Sequence, residues 1–199
     1  MERSQSLMTE GPIGRRMIGF AVPIFIGNLF QQLYNTADAL IVGNFIGNDA
    51  LAAVSSTGSL IFLIVGFFGG VSTGAGVVIS RYFGARDEEK LERAVHTTVA
   101  FGLAVGVLVS LIGVLFAPVI LRWMGTPEEV MADAVLYIRI YFAGQLGLVA
   151  YNSFCGIMRA VGDSKNPLKY LILSSVLNVV LDILFISAFG MGVDGAAYA

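Results

Sequence analysis

The sequence predicts an all-α protein that crosses a membrane several times. Hydrophobic residues make up 56% of the 199 residues and charged residues only 13%, whereas about 25% of the residues in an average soluble domain are charged. The mean hydropathy is +0.80. Five apolar stretches are each long enough to cross a bilayer as a helix, which takes about 20 residues. These observations together indicate a bundle of transmembrane helices.

The predicted spans follow one another with short connectors that contain glycine, proline or asparagine, the residues that favour turns. The spans are residues 17–45, 51–79, 94–121, 130–158 and 168–189, and a sixth begins near residue 193 and continues to residue 199. The connectors lie at residues 47–49, 84–93, 125–127, 162–167 and 190–192. Residues 1–16 precede the first span, and residues 17–199 form one transmembrane lobe. The glycines of the second span predict a close-packing surface that includes a small-residue motif at Gly70 and Gly74. They are Gly66, Gly69, Gly70, Gly74 and Gly76.

Lysine and arginine are concentrated in alternate connectors. Ten of them lie before the first span or in the connectors after the second and fourth spans, against one, Arg122, on the other side. Basic residues close to membrane spans stay in the cytoplasm, so the N-terminus is predicted to be cytoplasmic. The twelfth basic residue, Arg139, lies inside the fourth span and is expected to extend toward the outer rim.

The end of the chain is apolar. Residues 195–199 have no polar flank, and a helix that begins there would be left unfinished in the bilayer. We therefore expect the chain to be the N-terminal part of a longer protein. The alternative is that residues 190–199 form a tail outside the membrane.

The charge balance and the reactive side chains argue against several classes of protein. The net charge is −2, so no basic surplus is present to bind nucleic acid. The single cysteine, Cys155, excludes a disulfide framework and a cysteine-based metal site. The sequence has no phosphate-binding loop, no Ser/His/Asp set and no zinc-ligand spacing, which indicates that the protein is not an enzyme.

Polar side chains recur at helical spacing inside three of the spans. Such groups are costly in hydrocarbon and are candidates for function. Spacings of three, four, seven or eight residues place the members of each stripe on one helix face. The stripes are Gln31, Tyr34, Asn35 and Asp38 in the first span, Tyr137, Tyr141 and Gln145 in the fourth, and Ser174, Asn178 and Asp182 in the fifth.

Asp38, Asp182 and Tyr137 are predicted to share one depth. Each lies roughly seven residues from the outer end of its span, which corresponds to about 10 Å at the rise of an α-helix. Two carboxylates and a phenol at one depth suggest one cavity in the outer half of the membrane. The alternative is that the polar stripes only form hydrogen bonds that pack the helices together.

Motifs in this order and spacing resemble those of the multidrug and toxic compound extrusion (MATE) family. The first span contains Pro23 and then Asn-Thr-Ala-Asp at residues 35–38. The later motifs are Ser-Arg-Tyr-Phe-Gly-Ala-Arg at residues 80–86, Arg-Ala-Val-Gly-Asp-Ser-Lys-Asn-Pro at 159–167, Asn-Val-Val-Leu-Asp at 178–182 and Gly-Met-Gly-Val-Asp-Gly-Ala-Ala at 190–197. The family usually has glycine where this chain has Ala160. The resemblance extends over the whole chain.

The resemblance implies twelve spans in two six-helix lobes and export of drugs or metabolites against a Na⁺ or H⁺ gradient. This chain would be the first lobe, its partner would be the C-terminal lobe of the same polypeptide, and no cofactor other than the coupling ion would be needed. The similarity is greatest to prokaryotic members, which implies a plasma-membrane location. Matching the motifs residue by residue assigns ion or proton coupling to Asp38, Asn178 and Asp182, with Tyr137, and a possible Na⁺ site to the first three. Candidate cavity-lining residues are Gln31, Tyr34, Asn35, Ser174 and Tyr141.

Three functions remain open at this stage. An ion-coupled exporter of drugs or organic cations would use the carboxylates for coupling. A lipid-linked oligosaccharide flippase of the same superfamily would need a cationic cavity for a diphosphate head group, whereas the candidates here are acidic. A non-transporting membrane assembly module would need no paired carboxylates inside the membrane.

Overall fold

The computed structural model describes residues 12–199, apart from the side chains of residues 48 and 49. Most of the predicted leading segment, residues 1–16, therefore lies outside the described residues. The described part folds into α-helices with one short 3₁₀ turn and one π-helical segment, and it contains no strand. The helices are α1 Ile13–Phe45, α2 Asn48–Ala85, α3 Glu88–Trp123, α4 Met131–Ala160, α5 Lys165–Asp182 and α6 Val193–Tyr198, with the 3₁₀ turn Glu128–Val130 before α4 and the π-helix Ile183–Ala188 after α5.

Five of these helical stretches are long and apolar enough to cross a membrane, in agreement with the predicted fold class. Large apolar side chains such as Phe62 and Leu115 are exposed on the outside of the bundle, as expected for a surface that contacts lipid. The helices run alternately up and down. The α2–α3 and α4–α5 connectors therefore lie at one end, here called the basic end, and the other connectors lie at the opposite end.

The helices extend further than the apolar pattern predicted because polar residues cap them. The α2–α3 turn places Arg86 in the left-handed region at φ 55°, and the Asp87 carboxylate accepts a 3.1 Å hydrogen bond from the backbone N–H of Lys90. The Lys90 side chain also lies 2.7 Å from Asp87, and these contacts hold the pKa of Asp87 below its usual value. The charged stretch from Glu88 onward, predicted to be a helical part of the connector, consequently forms the first turns of α3.

The turn before α5 is built around Asp163. Its carboxylate accepts hydrogen bonds of 3.1 Å from the backbone N–H groups of Lys165 and Asn166. The Asn166 side-chain amide donates a third hydrogen bond to it, of 2.6 Å. Gly162 has φ 93°, a conformation that glycine adopts without strain. The Gly-Asp pair of this motif thus caps a helix at the basic end.

Helix α4 is the centre of the bundle and packs against α2, α3 and α6, whereas α1 packs mainly along α5. The most extensive helix contact is between α3 and α4, where Gly102, Gly106 and Gly113 of α3 are buried. The predicted packing surface of α2 is confirmed at Gly76, which lies against Gly156 of α4. It is wrong for the described residues at Gly66, Gly69, Gly70 and Gly74, because a Cβ there would have no neighbour within 4 Å.

Candidate functional site

The Asp38 and Asp182 carboxyl groups meet near the opposite end of the bundle, between α1 and the last turn of α5. Each carboxyl group is an electrostatic neighbour of the other. Asp182 is completely buried and Asp38 is half-buried. No residue of the described part donates a hydrogen bond to Asp38 Oδ1 or to either carboxyl oxygen of Asp182. Two carboxyl groups this close cannot both stay ionised unless a cation binds or they share a proton.

Asn178 and Tyr137 complete this cluster. Asn178 lies one helical turn before Asp182, and its buried Oδ1 has no hydrogen-bond donor among residues 12–199. Tyr137 is 8% exposed and packs with Val42 and Ile186, and it is an electrostatic neighbour of both carboxyl groups. The structure therefore brings together the three residues predicted to share one depth, and adds Asn178.

The five predicted cavity-lining residues divide into two groups. Gln31, Tyr34 and Tyr141 are half-buried, and Tyr34 is an electrostatic neighbour of Asp38 and of Tyr141. Asn35 and Ser174 are exposed, and they hydrogen-bond only within their own helices, to Gln32 and Leu171. The chain thus leaves three of the five partly buried, with Tyr34 close to Asp38, and places two on its surface.

The sequence pattern did not predict the π-helix that follows Asp182. Over Ile183–Ala188 the backbone widens, and the N–H of Phe189 bonds the carbonyl of Leu184, five residues earlier. Such segments are rare and are found preferentially at functional sites. Here the π-helix begins directly after the buried carboxylate.

The atoms at this cluster suit a small cation. Four buried oxygens have no donor among the described residues: Asp38 Oδ1, Asn178 Oδ1 and both carboxyl oxygens of Asp182. Hard cations prefer carboxylate and carbonyl oxygens, and a proton bound between two carboxyl groups would also satisfy them. No group of three or more His, Cys, Asp or Glu side chains that could hold a metal occurs in the described part of the chain. A bound Na⁺ would therefore need the oxygens of Asn178 or Tyr137 in addition to the carboxylates.

Comparison with known proteins settles the family. The MatE family model matches residues 23–184. The chain belongs to the MATE family. The MATE motifs recognised in the sequence are thus confirmed, and the cluster just described lies within the matched residues.

Curated MATE relatives of this chain are named as multidrug resistance or multidrug export proteins. The chain is similar to the probable multidrug resistance protein YoeA of Bacillus subtilis, with 38% identity over 100% of this chain and 45% of the relative. It is also 26% identical to the multidrug export protein MepA of Staphylococcus aureus, over 94% of this chain and 42% of that protein. The chain spans less than half the length of these relatives and corresponds roughly to the N-terminal lobe of a MATE transporter.

Solved MATE structures share the fold. An outward-facing multidrug resistance MATE transporter matches with a TM-score of 0.86 and 33% identity, over 92% of this chain and 40% of that one. An inward-facing structure matches with a TM-score of 0.79 and 33% identity, over 84% and 38%. The MATE lobe described here is therefore similar to lobes found in both states.

Proposed function

We propose that this chain is the ion-coupling lobe of a cation-coupled antiporter that exports drugs or other organic, cationic small molecules. The observation that carries the proposal is the set of four buried oxygens at Asp38, Asn178 and Asp182 with no hydrogen-bond donor in the described chain. Such a set attracts Na⁺ or H⁺ and repels anions. The coupling cation is a transported species, and no other cofactor is needed.

Cation binding at this cluster links ion binding to conformation. A cation between Asp38 and Asp182 removes the repulsion between the carboxylates, and so favours close packing of α1 against α5. Loss of the cation favours separation of these helices. A ligand shifts a conformational equilibrium only if its affinity differs between the two states. A cation held by both helices binds more tightly when α1 and α5 are packed together than when they are separated.

The relatives support the transport function. Those named above are described as multidrug resistance or export proteins, and their solved relatives adopt outward-facing and inward-facing states. Alternating access needs a second lobe that moves against the first. We infer that the functional unit includes a C-terminal lobe of the same polypeptide, in the plasma membrane of a prokaryote and with the N-terminus in the cytoplasm.

The test uses the full-length protein in proteoliposomes with an imposed Na⁺ gradient or an imposed pH gradient. We expect one of these gradients to drive transport of a cationic dye such as ethidium, and an ionophore that collapses it to stop transport. If the rate of ethidium transport did not depend on either gradient, cation coupling would be wrong. Movement of a lipid-linked diphosphate sugar but not of ethidium would favour the flippase instead.

A further inference from the structure

A second polar feature lies at the basic end of the bundle, away from the carboxyl pair. A cavity of about 890 Å³ opens there between α1, α2 and α4. Phe20 and Ile24 of α1 line one side, Arg159 stands toward the basic end of α4, and Asn152 lies deeper along the same helix. This cavity contains no member of the Asp38–Asp182 cluster.

The register of α2 and α4 shows how deep the cavity reaches. The Ser72 hydroxyl donates a 2.8 Å hydrogen bond to the carbonyl of Asn152, and Gly76 lies against Gly156. Both pairs are offset by 80 residues (152 − 72 and 156 − 76), and the two helices run in the same direction. Gly69, which also lines the cavity, is therefore level with residue 149, about 6 Å along the axis from Gln145.

Gln145 is the polar group that stands between the cavity and the carboxyl cluster. Its side chain is 1% exposed, and within residues 12–199 neither its Oε1 nor its Nε2 has a hydrogen-bond partner. A buried amide without partners costs free energy. The position of the Gln145 side chain is therefore not explained by packing alone.

The polar positions of α4 form one continuous stripe on the helix. Successive steps of four, four, seven and seven residues keep them within an arc of about 80°. In order from the carboxyl cluster to the basic end they are Tyr137, Tyr141, Gln145, Asn152 and Arg159. The stripe thus connects the cluster with the cavity, and Gln145 lies about 12 Å from the level of Tyr137 and about 10 Å from that of Asn152.

Helix α1 supplies a matching stripe. Ile24, Gln31, Tyr34 and Asp38 also fall within an arc of about 80°. Tyr34 is an electrostatic neighbour of Tyr137 and Tyr141 of α4. Ile24 lines the cavity, and Asp38 belongs to the carboxyl pair.

We propose that the polar stripe of α4 forms a hydrated path along which the coupling cation passes between the Asp38–Asp182 pair and the basic-end cavity, with Gln145 as its buried polar station. This inference rests on the proposed coupling function. An amide is not titratable at neutral pH, so Gln145 acts by binding water or Na⁺ through Oε1 and by donating from Nε2. The path gives the cluster access to the basic side.

Transport by full-length variants is the first test. Gln145→Met keeps the length of the side chain and removes both polar atoms. Leu146→Met introduces the same residue at nearly the same depth, on the side of α4 that packs against Gly106 of α3. We expect Gln145→Met to lower gradient-driven ethidium export roughly tenfold, which corresponds to about 1.4 kcal/mol. Equilibrium ethidium binding in detergent should stay unchanged, and Leu146→Met should export like the wild type.

The outcomes separate the two proposals. If Asp38→Asn abolishes coupled export but Gln145→Met exports normally, the path is wrong and the coupling site stands. If Asp38→Asn also exports normally, the coupling function itself is wrong. Loss of ethidium binding in Gln145→Met would show a packing role instead of a path, and would overturn the inference.

Cysteine accessibility is the second test and does not depend on transport by Gln145→Met. In a cysteine-free version of the full-length protein, Gln145→Cys should react with a small cationic thiol reagent applied from the basic side. Leu146→Cys should not react. Equal reaction of the two positions, or no reaction at residue 145, would contradict a hydrated path.

Discussion

The Arg139 side chain hydrogen-bonds the carbonyl oxygen of Val114 through Nε, at a distance of 3.2 Å. That carbonyl is four residues before Pro118, and the backbone N–H that would normally bond it is missing because proline has none. Arg139 of α4 thus supplies the donor that α3 lacks. Arg139 therefore contacts the neighbouring helix, and does not only extend toward the membrane rim as its sequence position suggested.

The first prediction follows from this pair. Arg139→Met should lower the free energy of unfolding by about 1 kcal/mol, a typical value for an interhelical hydrogen bond. In a Pro118→Ala background the backbone N–H returns to α3, so the same replacement should cost less. Melting temperatures of the four full-length proteins in detergent provide the double-mutant cycle. An equal cost in both backgrounds would show that the arginine does not act through the Val114 carbonyl.

The second prediction concerns orientation. Thr126 and Ser164, at opposite ends of the bundle, are 9% and 4% exposed and are poor positions for labelling. Glu92, Glu129 and Lys165 are exposed and serve better. In intact cells a membrane-impermeant thiol reagent should label Glu129→Cys, but should label Glu92→Cys and Lys165→Cys only after the cells are opened. The reverse pattern would show that the basic end lies outside the cell.

The third prediction separates glycines that pack closely from glycines that do not. A Cβ at Gly113 of α3 would overlap the ring of Phe142 on α4, whereas one at Gly70 of α2 would meet nothing within 4 Å. Gly113→Ala should destabilise the full-length protein by about 1–3 kcal/mol, the usual range for overpacking, and Gly70→Ala should change its melting temperature little. A similar loss in both variants would show that Gly70 packs against a part of the protein outside this lobe.

The sequence predicted those features that depend on spacing along one helix. The common depth of Asp38, Asp182 and Tyr137 follows from counting residues from the ends of the spans, and the structure brings these residues together. The sequence did not predict which glycines pack closely, because close packing depends on how α2, α3 and α4 are arranged in space. The exposure of Asn35 and Ser174 and the π-helix after Asp182 are also consequences of tertiary packing. The sequence pattern placed Gln145 in a polar stripe. Only the structure showed that its side chain is buried and has no hydrogen-bond partner among the described residues.

The last prediction tests the carboxyl pair. Asp38→Asn and Asp182→Asn should each abolish gradient-driven export in full-length protein present at wild-type levels in the membrane. The amide keeps the size of the side chain but cannot release a proton, and it is a poorer ligand for a hard cation. Asn178→Ala should weaken coupling less, because it removes a dipole and not a charge.

Membrane level and ethidium binding provide the controls, since a folding defect would lower both. If the carboxyl groups only pack the helices, the Asn variants should export like the wild type and melt at equal or higher temperature, because an amide avoids the cost of a buried charge. Normal export by both variants would therefore remove the basis for coupling at this site. Loss of export with unchanged ethidium binding would place the defect in the response to the cation, because the substrate site would still be intact while its link to the gradient through Asp38 and Asp182 was lost.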